Sequence, residues 1–319
     1  MSIISKDISQ AVAILNNEEL VAIPTETVYG LAGNIYSEKA ITSIFETKRR
    51  PLFNPLIVHI PNLEYMESVV RYIPQKARLL AETFWPGSLT LVLPKKNNIP
   101  DVITAGKDTV AVRVPNHPVT LALLKQLNFP LAAPSANPFN RISPTKAEHV
   151  ASYFEGEIQM VLDGGSCKNG IESTIVGFEG DEPVIYRLGS IALETIEEVV
   201  GKVKVKNKKE ASPNAPGMLN KHYAPRTLTV LSNDIYSDIE RYLNKKIGVL
   251  SFSTSYKNDF IKSQITLSEN GNLAEATSNL YNALHKLDTQ NLDVIIAEIF
   301  PNIGLGKSIN DRLLRAASR

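Results

Sequence analysis

The stretch Val21-Ala-Ile-Pro-Thr-Glu-Thr-Val-Tyr-Gly-Leu31 carries an apolar strand into a turn of hydroxyls, a carboxylate and a glycine. Leu20–Ile23 reads as a buried strand that Pro24 stops. Thr25, Glu26, Thr27 and Tyr29 then offer donors and acceptors that are costly to bury unpaired. Two readings stand side by side: one wall of a polar-ligand site, or an ordinary strand-to-helix loop with capping residues. The pattern recurs in Leu131-Ala-Ala-Pro-Ser-Ala-Asn-Pro138, where an apolar strand and a proline precede Ser135 and Asn137, with Arg141 and Ser143 close behind. Asp163-Gly-Gly165 and Gly170-Ile-Glu-Ser-Thr174 form another strand-end cluster, followed by Arg187. His59 and Arg113 close two further apolar strands. Lys48-Arg-Arg-Pro51 ends a helix, where its cations either complement the helix C-terminus or grip an anion. Several strand ends thus converge on cations, hydroxyls and amides.

The elements that must position these residues follow from periodicity. Up to about Val200, strands are expected at Leu20–Ile23, Leu56–Ile60, Leu89–Leu93, Val110–Val114, Leu131–Ala133, Met160–Leu162, Thr174–Phe178 and Val184–Tyr186. Helices are expected at Ile8–Leu15, Glu38–Thr47, Gln75–Phe84, Val119–Gln126, Lys146–Phe154 and Leu193–Val199, with Ser37 and Thr145 as N-caps. Some strands follow one another with no helix between them, so the sheet is expected to be mixed. From Gly201 to Arg226 the apolar periodicity lapses. Lys202, Lys204, Lys206, Lys208 and Lys209 precede Ala-Ser-Pro-Asn-Ala-Pro-Gly-Met, a pattern that reads as a solvated linker more readily than as an RNA contact. Beyond it, strands at Leu228–Leu231, Ile247–Phe252 and Val294–Ile299 and helices at Ile235–Leu243, Leu273–Leu287 and Ile309–Ala316 make a small α/β domain. The expected division is residues 1–201, a linker at 202–227, and a second domain at 228–319.

With 319 residues, 43% hydrophobic and 21% charged, the chain can bury two cores. A formal net charge of +1 gives no whole-molecule attraction to nucleic acid or membrane. Cys167 is the only cysteine, which excludes a disulfide framework and a multi-cysteine zinc site. No run of about 18 apolar residues occurs, and the first residues lack a signal-peptide pattern, so a soluble cytoplasmic protein is expected.

Taken in order, Pro24-Thr-Glu-Thr-Val-Tyr-Gly-Leu31, Lys48-Arg-Arg-Pro51, Asn54-Pro-Leu, Ala111-Val-Arg-Val-Pro115, Pro134-Ser-Ala-Asn137, Ser143-Pro-Thr145, Gly170-Ile-Glu-Ser-Thr174 and Ala215-Pro-Gly-Met closely resemble the YrdC family of threonylcarbamoyl-AMP synthases, in its long two-domain form. The resemblance implies a twisted mixed α/β sheet around a deep basic cavity, with a second smaller Rossmann-like α/β domain. It also implies the reaction of L-threonine, bicarbonate and ATP to threonylcarbamoyl-AMP, diphosphate and water, which serves tRNA modification next to the anticodon. By the same resemblance Lys48 and Arg50 are catalytic, and Thr27, His59, Arg113, Ala133 and Ser173 hold threonine. Arg50, Asn54, Thr109, Ser135, Asn137, Ser143, Arg187 and Tyr223 hold ATP. Mg2+ would arrive with the ATP phosphates, with no tightly held cofactor and no protein metal site. The product would pass to the tRNA threonylcarbamoyl transferase machinery, with direct tRNA binding weak or absent. The segment Ala215–Pro225 is expected to fold over the cavity as a lid, weighted by Met218, Leu219 and Tyr223.

Competing roles remain for single residues. His59 could be a satisfied core histidine, and Glu26 and Glu172 could be general bases or partners of turn amides. Gly304-Leu-Gly-Lys-Ser308 resembles a phosphate-binding loop but has Pro301 where the first glycine belongs. Arg49 stands where the family often carries glycine, and Ser88 where it often carries proline. A non-catalytic RNA-binding module of the same fold is the main alternative. The near-neutral charge and the lack of aromatic-basic interleaving argue against it. The related domain of hydrogenase maturation factors goes with cysteine-rich zinc modules, which one cysteine cannot build.

Overall fold

The structure is a computed structural model that describes residues 3–206, 215–216 and 222–318. Lys208, Lys209, Met218 and Leu219, named above for the linker, lie outside the described residues. Eleven strands build the first sheet: β1 (Ile3–Ser5), β2 (Val21–Ile23), β3 (Gly30–Asn34), β4 (Ile57–His59), β5 (Leu89–Pro94), β6 (Thr109–Arg113), β7 (Leu131–Ala132), β8 (Met160–Leu162), β9 (Thr174–Glu179), β10 (Glu182–Arg187) and β11 (Lys204–Val205). Their spatial order is β1-β8-β2-β3-β7-β4-β6-β5-β9-β10-β11. Parallel pairs such as β4 with β6 and β5 with β9 alternate with antiparallel pairs such as β2 with β3 and β5 with β6. This is the mixed sheet expected from strands that lack intervening helices.

The interior strands are buried on both faces, and helices such as Ile8–Asn16, Glu38–Lys48 and Gln75–Phe84 pack on the sheet. The helix Glu38–Lys48 shows the local logic. Ser37 caps it by accepting the Ala40 amide, Ala40, Ile41, Ile44 and Phe45 face the core, and Arg49 ends it in the left-handed region with φ of 52°. Thr145 does not cap the helix Ala147–Tyr153, expected from Lys146 to Phe154. Lys146 takes that position without a side-chain bond, while the Thr145 amide donates to His149 Nδ1.

The second domain, β12 (Leu228–Ser232), β13 (Ile247–Ser251), β14 (Ile261–Thr266) and β15 (Val294–Glu298), is a wholly parallel sheet in the order β12-β15-β13-β14. Its helices Leu273–Asp288 and Leu305–Ala317 lie against the first domain. One buried cluster joins Val28, Ile142, Ile171 and Tyr223 to Leu280, Tyr281, Leu284 and Leu313, so the two domains share a core beside the strand ends described above. Gly170 permits the contact. Its φ of +73° lies in the left-handed region, and a Cβ there would stand 2.3 Å from the Ser278 carbonyl oxygen.

Candidate active site

Nine of the residues expected in the site line one cavity: Thr27, Arg50, His59, Arg113, Ala133, Ser135, Ser173, Arg187 and Tyr223. They come from the ends of β4, β6, β7, β9 and β10, from the turn after β2, from just past the helix Glu38–Lys48, and from the linker. The cavity measures about 40 Å³, room for a few waters, because Pro216, His222 and Tyr223 of the linker lie across it. The Arg187 Nη1 donates to the Pro216 carbonyl at 3.1 Å, tying the linker to the wall.

Other expected residues stand elsewhere. Thr109 begins β6 and pairs with Pro94, four residues from Arg113, which at strand rise is about 13 Å from the cavity end. Lys48 is only 1% exposed, and its ammonium donates to the carbonyls of Ser135 and Asn137. It therefore stands behind the wall and holds the Ser135–Asn137 turn in place. It is also the last residue of its helix, so the expectation that it lies past the helix end is corrected. Asn137 donates to the Pro138 and Arg141 carbonyls, and Ser143 donates to Glu172 Oε1 at 2.6 Å. Asn54 is buried with both amide atoms unpartnered by protein, its carbonyl accepting from Arg50 Nε.

The electrostatics are those of an anion site. Arg113 is neutralised, since its Nη2 meets Glu26 Oε1 at 2.6 Å while Nη1 donates to Thr27 Oγ1 at 3.0 Å. Arg50 and Arg187 have no ion pair among the described residues. Arg50 donates to the Asn54 and Pro55 carbonyls, and Arg187 to the Ser173 carbonyl and hydroxyl. Burial, then the Arg187 charge, pushes Arg50 down to about 9, and burial likewise lowers Arg187. Two buried guanidinium groups without a direct ion pair among the described residues, the nearest carboxylate being Glu172, which is bonded to Arg312, favour a bound anion. Burial, helped by Arg113, depresses His59 to about 3, so its ring is neutral and fit for hydrogen bonding rather than charge pairing. Tyr223 Oη, His222 Nδ1 and Asn137 Oδ1 are buried without a protein partner, each at a cost of about 1–3 kcal/mol that a polar ligand offsets.

Sequence reasoning missed the residues that frame this cavity from the second domain. Arg312, fully buried in the helix Leu305–Ala317, donates from Nε to Glu172 Oε2 at 2.9 Å and from Nη2 to the Leu188 carbonyl at 2.6 Å. Its guanidinium also lies 4.9 Å from the Tyr223 ring centroid. Tyr281 donates to Glu172 at 2.9 Å. Burial raises the Glu172 carboxyl, but Arg312, Arg187 and the Ser143 hydroxyl outweigh it and hold the group below the usual carboxylate range. Glu172 is thus a structural anion, and a general-base role does not suit it. Glu26 is likewise occupied, by Arg113 and the Asn116 amide. Cys167 is pushed up to about 12, chiefly by burial, and is no nucleophile. The phosphate-loop resemblance at Gly304 dissolves into the domain contact: Lys307 pairs with Glu194 at 2.6 Å and Ser308 donates to the Gly189 carbonyl. The one local signal for Arg312 was an arginine on the apolar stripe of an amphipathic helix, a position that calls for a buried partner.

Buried cations at the strand ends of a twisted mixed sheet, roofed by a linker and braced by a parallel α/β domain, define a two-domain α/β protein built around small anionic ligands. Residues 13–189 match a family model described as telomere recombination, and residues 191–318 match one described as threonylcarbamoyl-AMP synthase, C-terminal domain. The chain belongs to the threonylcarbamoyl-AMP synthase family. It is 41% identical over 323 residues to the threonylcarbamoyl-AMP synthase of Bacillus subtilis (strain 168), covering 97% of this chain and 92% of the relative. To the Pyrococcus abyssi (strain GE5 / Orsay) threonylcarbamoyl-AMP synthase it is 40% identical over 321 residues, covering 96% and 93%. A crystal structure of P. abyssi Sua5 complexed with L-threonine superposes with a TM-score of 0.92 at 39% identity, covering 99% of this chain and 97% of that one. Among the described residues no helix is long and apolar enough to cross a membrane, and no His/Cys/Asp/Glu group forms a metal cluster.

Proposed function

We propose that this chain makes threonylcarbamoyl-AMP from L-threonine, bicarbonate and ATP, releasing diphosphate and water. The observation that carries this reading is the pair of buried guanidinium groups, Arg50 and Arg187, facing one cavity without ion-pair partners among the described residues and beside a pocket wall of Thr27, His59, Ala133 and Ser173. Bicarbonate takes up a proton and loses water to give carbon dioxide, and threonine's neutral amine captures it as a carbamate, releasing the amine proton. A carbamate oxygen then attacks the α-phosphate, and diphosphate departs with the electron pair of the broken P–O bond. That is adenylyl transfer, a nucleotidyltransferase reaction, and it brings several negative groups together, so its catalyst must position and neutralise rather than supply a nucleophile. Arg50 and Arg187 bear on the phosphates, while Arg113, held by Glu26, bears on the amino-acid carboxylate. Mg2+ enters as part of the ATP substrate.

A mixed anhydride of a carbamate with AMP is labile in water, which gives the linker its purpose. With Pro216, His222 and Tyr223 across a cavity of about 40 Å³, ATP cannot enter until the linker lifts, and its return excludes water from the intermediate. The cations of the cavity are buried rather than displayed in a surface stripe, which does not suit a nucleic-acid backbone. The product is handed to a tRNA-modifying transferase in the cytoplasm. The test is diphosphate release from ATP by the purified chain: it requires both threonine and bicarbonate, and release independent of either would refute the reading.

A further inference from the structure

A second cavity, of about 250 Å³, lies outside the site already described, and Arg49, Arg141 and Arg226 line it together with Tyr153 and Glu157. Each arginine belongs to a different segment of the active site. Arg49 stands between Lys48 and Arg50, Arg141 between Asn137 and Ser143, and Arg226 just beyond Tyr223. Backbone bonds tie the three segments at this point. The Phe139 amide donates to the Lys48 carbonyl at 2.7 Å, the Ala224 amide to the Asn140 carbonyl at 2.8 Å, and Arg141 bridges Ala224. The three guanidinium groups form no ion pair among the described residues. Asp288, the nearby carboxylate, is spent on the backbone amides of Arg226 and Thr227. Three cations against two carboxylates, Glu157 in the lining and Asp288 beside it, leave a local excess of positive charge that concentrates anions. The volume is below the roughly 300–1,000 Å³ of pockets that take drug-sized ligands, and it suits an anion of one or two phosphate units.

We propose that this cavity is a second anion site, taking phosphate or diphosphate, and that the bound anion staples the linker to the back of the catalytic turns. Charge-assisted bonds to guanidinium groups supply the recognition. Because the same ion touches the Lys48–Arg50, Asn137–Ser143 and linker segments, its binding favours the arrangement in which the linker covers the cavity. By reciprocity, ATP bound beneath the linker tightens the anion. The site depends on Arg49.

The test is calorimetric titration of the full chain with inorganic diphosphate and with inorganic phosphate, for wild type and for Arg49→Ala/Arg226→Ala. Arg49 and Arg226 are both exposed, so the variant should keep its fold, which circular dichroism and the melting temperature verify. Wild type is expected to bind diphosphate in two steps, one of them weakened at least about tenfold in the variant. The other step belongs to the main cavity and persists. Arg141→Ala alone should weaken the same step. An identical isotherm for the folded double variant overturns the proposal. So does binding of a short single-stranded RNA that depends on Arg49 and Arg226 and that diphosphate does not displace, since the surface would then read a nucleic-acid backbone.

Discussion

Replacing Arg312 by methionine tests whether the second domain holds the site together electrostatically. The substitution keeps much of the side-chain length and removes the bonds to Glu172 Oε2, to the Leu188 carbonyl and to Asp311 Oδ2, leaving Glu172 buried with the Ser143 and Tyr281 hydroxyls and the more distant charge of Arg187. Removing one partner of a buried pair costs about 3–5 kcal/mol, because the remaining charge is uncompensated. In wild type the Glu172 carboxyl lies below its usual range, so its contribution is present above the unfolded value of about 4.3 and is lost as pH falls through the folded value. In the variant the strongest opposing charge is gone and burial raises the carboxyl, so stability rises as pH falls toward that raised value. Urea unfolding followed by far-ultraviolet circular dichroism at pH 7 and pH 5 is the assay. The variant should be about 3–5 kcal/mol less stable at pH 7 and recover part of this at pH 5, where wild type changes little by this route. Adding Glu172→Gln, which removes the stranded charge, should return about 1–3 kcal/mol at pH 7. A loss that is equal at both pH values and unrelieved by Glu172→Gln would show that Arg312 acts by packing alone.

Arg50→Ala should lower diphosphate release at least about a hundredfold with the melting temperature nearly kept, whereas Lys48→Ala should lower both, because it frees the Ser135 and Asn137 carbonyls. Steady-state rates beside a melting curve separate the two, and near-normal rates for Arg50→Ala would remove it from the anion site. Threonine should be turned over in strong preference to valine, since neutral His59, whose Nδ1 already faces the Ile57 carbonyl, would be left without a partner at its other ring nitrogen by a methyl group; equal turnover would mean that the pocket reads size alone. His149 and His285 stack at 3.8 Å across the domain contact, and burial depresses them to about 3 and about 4. Stability should therefore fall as pH drops below the unfolded value of about 6.5, by at most about 1.4 kcal/mol per pH unit for each ring, and His285→Gln should flatten the profile. Limited proteolysis between residues 212 and 225 should slow when ATP and threonine are added together, and an unchanged rate would count against the lid.

Periodicity located most of the fold because the interior strands are short apolar runs closed by proline or polar residues, as at Leu89–Pro94 and Met160–Leu162. Strand β3 escaped because Gly30 and Gly33 weaken any strand signal. Gly33 lies in close packing, where a Cβ would stand 3.1 Å from the Leu20 side chain and 3.2 Å from that of Ile44. Strands β1 and β11 run along the sheet edges with most of their side chains exposed, and no burial pattern marks them. The short helices Met66–Val69 and Asp101–Thr104 span four residues each, too few for a period to show. In the site, strand-end motifs disclosed the cations and hydroxyls, whereas the direction of Lys48 was hidden, because a helix-terminal lysine before two arginines looks alike whether it meets substrate or a neighbouring turn. Thr109 was carried by family likeness, and the strand geometry sends it to the far end of β6. The pairings Glu26 with Arg113 and Glu172 with Arg312 span 87 and 140 residues, and spacing along the chain cannot announce such contacts.

The span from Glu172 to Arg312 also sets an order of events on the ribosome. At about 5–20 residues per second, on the order of ten seconds separates synthesis of the carboxylate from synthesis of its guanidinium partner. During that interval the first sheet can form, but Glu172 lacks its strongest cation and has only Arg187 and the Ser143 hydroxyl to offset its burial. The docking of the second domain through Arg312 therefore waits for translation of the helix Leu305–Ala317. A translational pause in that interval would prolong the open form, and exposure of the first domain to proteases during synthesis would report it.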